Sequence, residues 1–138
     1  MKRKEYLILC PILVLLLFSR YVQKHKEGEP DVISSMQINL DEVRIVVANR
    51  DLIEDKEEFA RLLIQKCRDD SFQSVKLSTD YGYATSLKLR VYLWEGQIEG
   101  QEPVMIVEYI PVEWGQQYDI VHDPEKFQLY IDGELIEE

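Results

Sequence analysis

From Leu87 to Trp94 apolar and polar side chains alternate without a slip. Leu87, Leu89, Val91 and Leu93 fall on one parity, and Lys88, Arg90, Tyr92 and Trp94 on the other. Successive side chains of a strand point to opposite faces, so this octet specifies a strand with one face in a core and the other outside it. A neighbouring element must cover the leucine face. The best helical pattern in the chain lies upstream: Phe59, Leu62, Leu63 and Cys67 recur at helical spacing, flanked by Ala60 and Ile64, which predicts an amphipathic helix over 56–69. Asp55 with Glu58 three residues later resembles a capping box. It satisfies a free amide and sets acid at the positive end of the helix dipole.

Other strands follow from local rules. Val43 to Ala48 is β-branched and nearly continuous in hydrophobicity, and Asn49-Arg50-Asp51 ends it. Val75 and Leu77 alternate with polar residues before the Tyr81-Gly82-Tyr83 turn. Val104 to Val112 is apolar on both parities until Pro111, which lacks a ladder donor and marks an edge or a strand end. A short strand is expected near Tyr118 to Val121. After the His122-Asp123-Pro124 turn, Phe127, Leu129 and Ile131 lead into Asp132-Gly133, a hairpin signal that returns the chain through Glu134 to Ile136. One helix and several strands joined by short turns imply an α+β domain. Its sheet is mostly antiparallel, with the helix on one face, in the order β-α-β-β-β-β.

Ahead of this domain stands Tyr6–Phe18, YLILCPILVLLLF. At about 1.5 Å per residue the run spans roughly 20 Å, short of a bilayer core of about 30 Å. Extension to Val22 suffices if Arg20 snorkels and Tyr21 sits in the interface. Lys2, Arg3 and Lys4 precede the run, as in a signal peptide. No small-residue cleavage site follows, and the first alanine is Ala48. Residues 1–22 are therefore read as an uncleaved signal anchor, 23–37 as a polar tether and 38–138 as the domain. Basic flanks tie across the run. The five-residue amino-terminal arm tips the orientation, leaving the domain outside the cytoplasm. Cys10 lies inside the run and Cys67 in the helix, so no intrachain disulfide is expected.

Charge limits the partners. Residues 41–138 hold ten Lys and Arg against 22 Asp and Glu, which argues against nucleic acid. The imbalance is local: 44–90 carry nine basic against eight acidic residues, and 91–138 carry Lys126 alone against twelve acids.

The chemistry-bearing residues form no signature. The glycines make neither a P-loop nor a dinucleotide fingerprint, and no Gly-x-Ser-x-Gly is present. His122 with Asp123 reads as an Asx turn rather than part of a triad. Asp119, Asp123, Glu125 and Asp132 lack the spacing of a calcium loop. Cys67, on the apolar stripe, reads as a small buried hydrophobe. No cofactor, metal site or catalytic set is expected. The expectation is a membrane-tethered, extracytoplasmic, non-catalytic binding or accessory module whose partner is a protein or a cell-envelope polymer. The alternatives are a cytoplasmic-facing regulator or assembly subunit at the membrane, and a small hydrolytic enzyme. The surface expected to bind is the sheet face opposite the helix, gathering Lys88, Arg90, Tyr92 and Trp94, with Arg44, Lys76 and Tyr109 beside them.

The anchor makes one prediction. The mature chain retains residues 1–22 and sediments with membranes, as checked by fractionation and amino-terminal sequencing; a soluble species beginning after residue 19 contradicts it.

Overall fold

The computed structural model describes residues 28–73, 82–113 and 117–137. In chain order the elements are β1 (Asp31–Ile38), β2 (Asp41–Val47), α1 (Lys56–Asp69), β3 (Ser86–Tyr92), β4 (Met105–Pro111), β5 (Phe127–Ile131) and β6 (Glu134–Ile136). All six strands join one sheet in the order β1-β2-β3-β4-β5-β6. Every neighbouring pair is antiparallel except β2 and β3, which run parallel. Parallel neighbours need a crossover, and α1 lies in that connection. The result is a small domain of mostly antiparallel sheet with one helix. The segments 1–22 and Val75–Leu77 lie outside the described residues. Among the described residues, no helix is long and apolar enough to cross a membrane.

The helix has the bounds that its periodicity predicts. The Glu58 amide donates to the Asp55 carboxylate at 3.0 Å. Glu57 and Glu58 occupy the first turn, and Lys66 and Arg68 the last, each complementing the dipole. The chain leaves through Asp70 at φ 52°, where the Ser71 amide donates back to the Lys66 carbonyl at 3.0 Å and satisfies an end group of the helix. Phe59, Ala60, Leu63, Ile64 and Cys67 are buried. Leu62 is 40% exposed, because the stripe centres on the 60/63/64/67 line and carries position 62 to its flank.

Beneath the helix, Leu87, Leu89 and Val91 are all but inaccessible, and Leu93 packs at the margin of the same core. Register carries this parity across the sheet. Leu89 lies opposite Val107, and Val107 opposite Ile131, so each row presents apolar side chains to α1. At the β5–β6 turn, Asp132 and Gly133 take φ values of 51° and 84°, the positive pair that a tight two-residue hairpin requires. Asp132 also accepts the Ile106 amide at 2.8 Å and pairs with Lys56 at 3.1 Å, tying the hairpin to β4 and to the start of α1.

Three departures from the sequence reading stand out. Asp31–Ile38, of which all but Ile38 was expected within the spacer, forms β1, so the order among the described residues is β-β-α-β-β-β-β. β1 shows little alternation because it is an edge strand exposed from Ile33 onwards, and it is held by its ladder to β2. The chain before it is pinned as well. Arg50 donates to the Gly28 carbonyl while its guanidinium stacks 4.7 Å from the Phe59 ring centroid, and the Asn49 side chain donates to the Glu29 carbonyl at 2.9 Å. Second, Tyr118–Val121 is not a strand. The Asp119 carboxylate takes the Val121 and His122 amides at 2.9 and 2.7 Å, which closes a turn there. Asp119, rather than Asp123, centres that Asx turn.

Third, Arg44 faces the helix. β2 lies parallel to β3 with Arg44 beside Leu89, which places Arg44 on the parity of Val46 and of the core. Its side chain is fully buried, with Nε donating to Glu42 Oε1 at 3.1 Å and its guanidinium 5.6 Å from the Phe72 ring centroid. Ser35 donates to the same Glu42 oxygen at 2.6 Å. Glu42 Oε2 and both terminal nitrogens of Arg44 have no hydrogen-bond partner among the described residues. An ion pair this dry spends most of its attraction on desolvation. We predict that Arg44→Met alone destabilises the domain by about 3–5 kcal/mol, whereas Glu42→Leu with Arg44→Met returns it to within about 1 kcal/mol of wild type. Urea unfolding at unchanged m-value is the measurement.

Candidate functional site

The face of the sheet turned away from α1 is assembled by the same register that builds the core. Val43 lies beside Lys88, Ile45 beside Arg90 and Val47 beside Tyr92. Across the next interval Lys88 faces Glu108 and Arg90 faces Ile106, while Ile110 pairs with Gln128 further along β4. Lys88 and Arg90 are exposed, and Val43, Ile45, Ile106 and Ile110 around them are half-buried. Towards the other end the face closes, since Val47 and Tyr92 are only 2% and 7% exposed. Trp94 lies just past β3, half-buried, with its indole N–H donating to Asp51 at 3.1 Å. The exposed part is thus two cations on a bed of aliphatic side chains, with Glu108 beside one of them.

The structure brings together Lys88, Arg90 and Tyr92 on this face, with Trp94 at its end. It does not bring Arg44 or Tyr109 to them. Tyr109 lies opposite Leu87 and Leu129 on the helix side, where its ring stacks on Phe127 at 4.9 Å and its hydroxyl donates to the Pro124 carbonyl at 3.1 Å. Lys76 lies outside the described residues.

A second concavity was not anticipated. One helix is narrower than a six-stranded sheet, and between α1 and the β5–β6 hairpin a groove of about 730 Å³ remains. Ile64, Phe127, Leu129 and Ile136 are among its apolar lining, with Arg61 and Arg68 along the helix rim and Glu125 and Glu137 also at its border. Arg61 is held by Glu57 at 3.1 Å, and Arg68 donates to the Ile120 carbonyl at 2.8 Å. The sequence signal for this rim was the seven-residue spacing of two arginines around Ile64, which puts all three on one side of a helix. The strands opposite could not be assigned to it without the sheet order.

Among the described residues, the cysteine and the histidine are engaged in structure. Cys67 is fully buried, and burial pushes its thiol up to about 12, outweighing the opposite pull of Arg44, so it stays protonated and unreactive at neutral pH. His122 Nδ1 lies 3.0 Å from Asp119 Oδ2, and the ring meets Tyr83 edge-on at 5.1 Å between centroids. Asp123 accepts the Asp119 amide at 3.2 Å. Among the described residues, no group of three or more His, Cys, Asp or Glu side chains is placed to hold a metal ion. No protein-family model matches the chain, and no curated protein or solved structure matches it.

The Asp119 turn has a pH signature. Burial raises the carboxyl, but the His122 and Val121 amides and the His122 side chain together outweigh it and leave Asp119 below its ordinary value. A depressed carboxylate contributes stability that is fully present above the unfolded value near about 3.9 and is lost as pH falls through the lower folded value. The Asp119 carboxyl resonance should therefore titrate below about 3.9 in the folded protein. His122→Ala should move it upward, as read by NMR; an unshifted resonance in both would contradict the turn geometry.

Proposed function

We propose that the chain is a membrane-tethered binding or accessory module rather than an enzyme. Residues 6–22 act as the anchor and the domain stands outside the cytoplasm. Its partner is a protein whose acidic side chains meet Lys88 and Arg90 while an apolar residue covers Ile45 and Ile106. The observation that carries this reading is the pair of exposed cations on an aliphatic bed in a chain of net charge −10. A positive patch on an otherwise anionic protein directs acidic partners to one face, and neighbouring apolar surface supplies the contact that desolvates the charges. The groove beside α1 is a weaker choice, because Arg61 and Arg68 on its border are already engaged by Glu57 and by the Ile120 carbonyl.

The test is site-specific photo-crosslinking of the full chain in its native membranes, with the probe placed at Arg90, at Ile106 or, as the control on the opposite layer, at Leu62. Adducts to one discrete acidic protein from 90 and 106, absent from 62, support the reading. Lys88→Glu with Arg90→Glu should lower adduct yield from 106 by about tenfold or more. Adducts from 62 and none from 90 or 106 would place the binding surface elsewhere, and resistance of the domain to protease added to intact cells would reverse the assigned side.

A further inference from the structure

We propose that the edge of β1 that no strand pairs among the described residues pairs antiparallel with β1 of a second copy, joining two six-stranded sheets into one. This rests on the sheet edges and the charge distribution, and is independent of the partner face proposed above.

The sheet has two edges that differ sharply. β6 is only three residues long, with Glu134 at its start and Glu137 just beyond its end, which is how an edge is blunted against unwanted pairing. β1 is eight residues long and ends the strand order on the other side. Every residue from Ile33 to Asn39 is exposed, with Met36 and Ile38 60% and 64% accessible. From Val32 to Leu40 there is neither a charge nor a proline. A β-bulge between Val32 and Ser34 interrupts the start of the strand, and beyond it the outward N–H and C=O groups of Ser34–Ile38 form a template that another strand completes.

Charge selects a second copy as that strand. Because strand order equals chain order, the charge imbalance of the sequence becomes a gradient across the sheet. Residues 91–138, with Lys126 alone against twelve acids, supply β4 to β6, the half farthest from β1. At about 4.8 Å per strand, the acidic strands lie roughly 14–24 Å from β1, so those of two paired copies are roughly 30–50 Å apart. That exceeds the screening length of about 10 Å at 0.1 M salt several-fold, so the net charge does not oppose association through this edge as it would through β6. Antiparallel pairing within Ser34–Ile38, the stretch between the bulge and the turn at Asn39, brings no charged residue against another. A two-fold axis of this kind stands perpendicular to the sheet and leaves both Lys88/Arg90 faces on the same side. A ladder over Ser34–Ile38 is small beside the roughly 1,200–2,000 Å² of a stable interface, so the dimer should be weak, with a Kd in the micromolar range.

The experiment is sedimentation equilibrium of the purified full chain in detergent, combined with amide hydrogen exchange at concentrations below and above the transition. The expected result is a reversible monomer–dimer equilibrium with slowed exchange confined to the amides of β1. Met36→Lys with Ile38→Lys should raise the Kd by about tenfold or more without altering the fold, whereas Leu135→Lys at the other edge should leave it unchanged. A monomer at every concentration, open-ended association, a dimer that survives the double lysine change, or concentration-dependent protection outside β1 would each overturn the proposal. The exchange measurement on the unaltered chain decides the matter even if the lysine variant fails to fold.

Discussion

The parallel step between β2 and β3 governs the architecture. Strands that run the same way cannot be joined by a hairpin, so the chain has to cross one face of the sheet before returning, and it does so through α1. That crossing decides which parity of every strand is dry. Leu87, Leu89 and Val91 are buried because α1 covers them, and the rows continue through Val107 and Ile131 because the antiparallel ladders keep register. A slip of one residue anywhere would turn a core row outward. The same crossing leaves the opposite face without a described helix, so Lys88 and Arg90 stay in water beside aliphatic side chains instead of disappearing into a second layer.

Electrostatics follow topology to an unusual degree. In a sheet whose strand order is the chain order, any composition gradient in the sequence becomes a field gradient in space. Here it leaves β1 almost uncharged, sets cations near the middle and crowds acids towards β6. Individual carboxylates nevertheless have structural duties. Asp55 caps α1, Asp119 closes a turn and Asp132 fastens a hairpin to the adjoining strand. Asp119, Asp123 and Asp132, three of the four acids near the carboxy-terminal end singled out in the sequence, each accept a backbone amide.

What was readable from the sequence was whatever local rules decide. The bounds of α1, the parity of β3, the end of β4 at Pro111 and the Asp132-Gly133 hairpin each depend on residues within a few positions of one another. The failures share a different cause. β1 lacks a pattern because only its ladder to β2 defines it. Arg44 and Tyr109 were assigned to the wrong face because their orientation depends on which strand lies beside them and in what register, which no local alternation encodes. Tyr118–Val121 has the composition of a strand, but the Asp119 carboxylate claims the amides that a ladder would need. The candidate face was therefore legible only where β3 itself carries it, whereas the groove beside α1 required the sheet order.

The buried pair of Glu42 and Arg44 also constrains the history of the chain. Glu42 and Arg44 satisfy one another across their hydrogen bond, and replacing either alone leaves the other's charge buried and unpaired. Drift at these sites is then slow while the set is intact and abrupt once it is lost, because only a joint exchange for neutral side chains crosses the barrier between two acceptable cores. Related sequences should consequently fall into two groups, one carrying the acid and the arginine together and one carrying neither, with few lineages caught between.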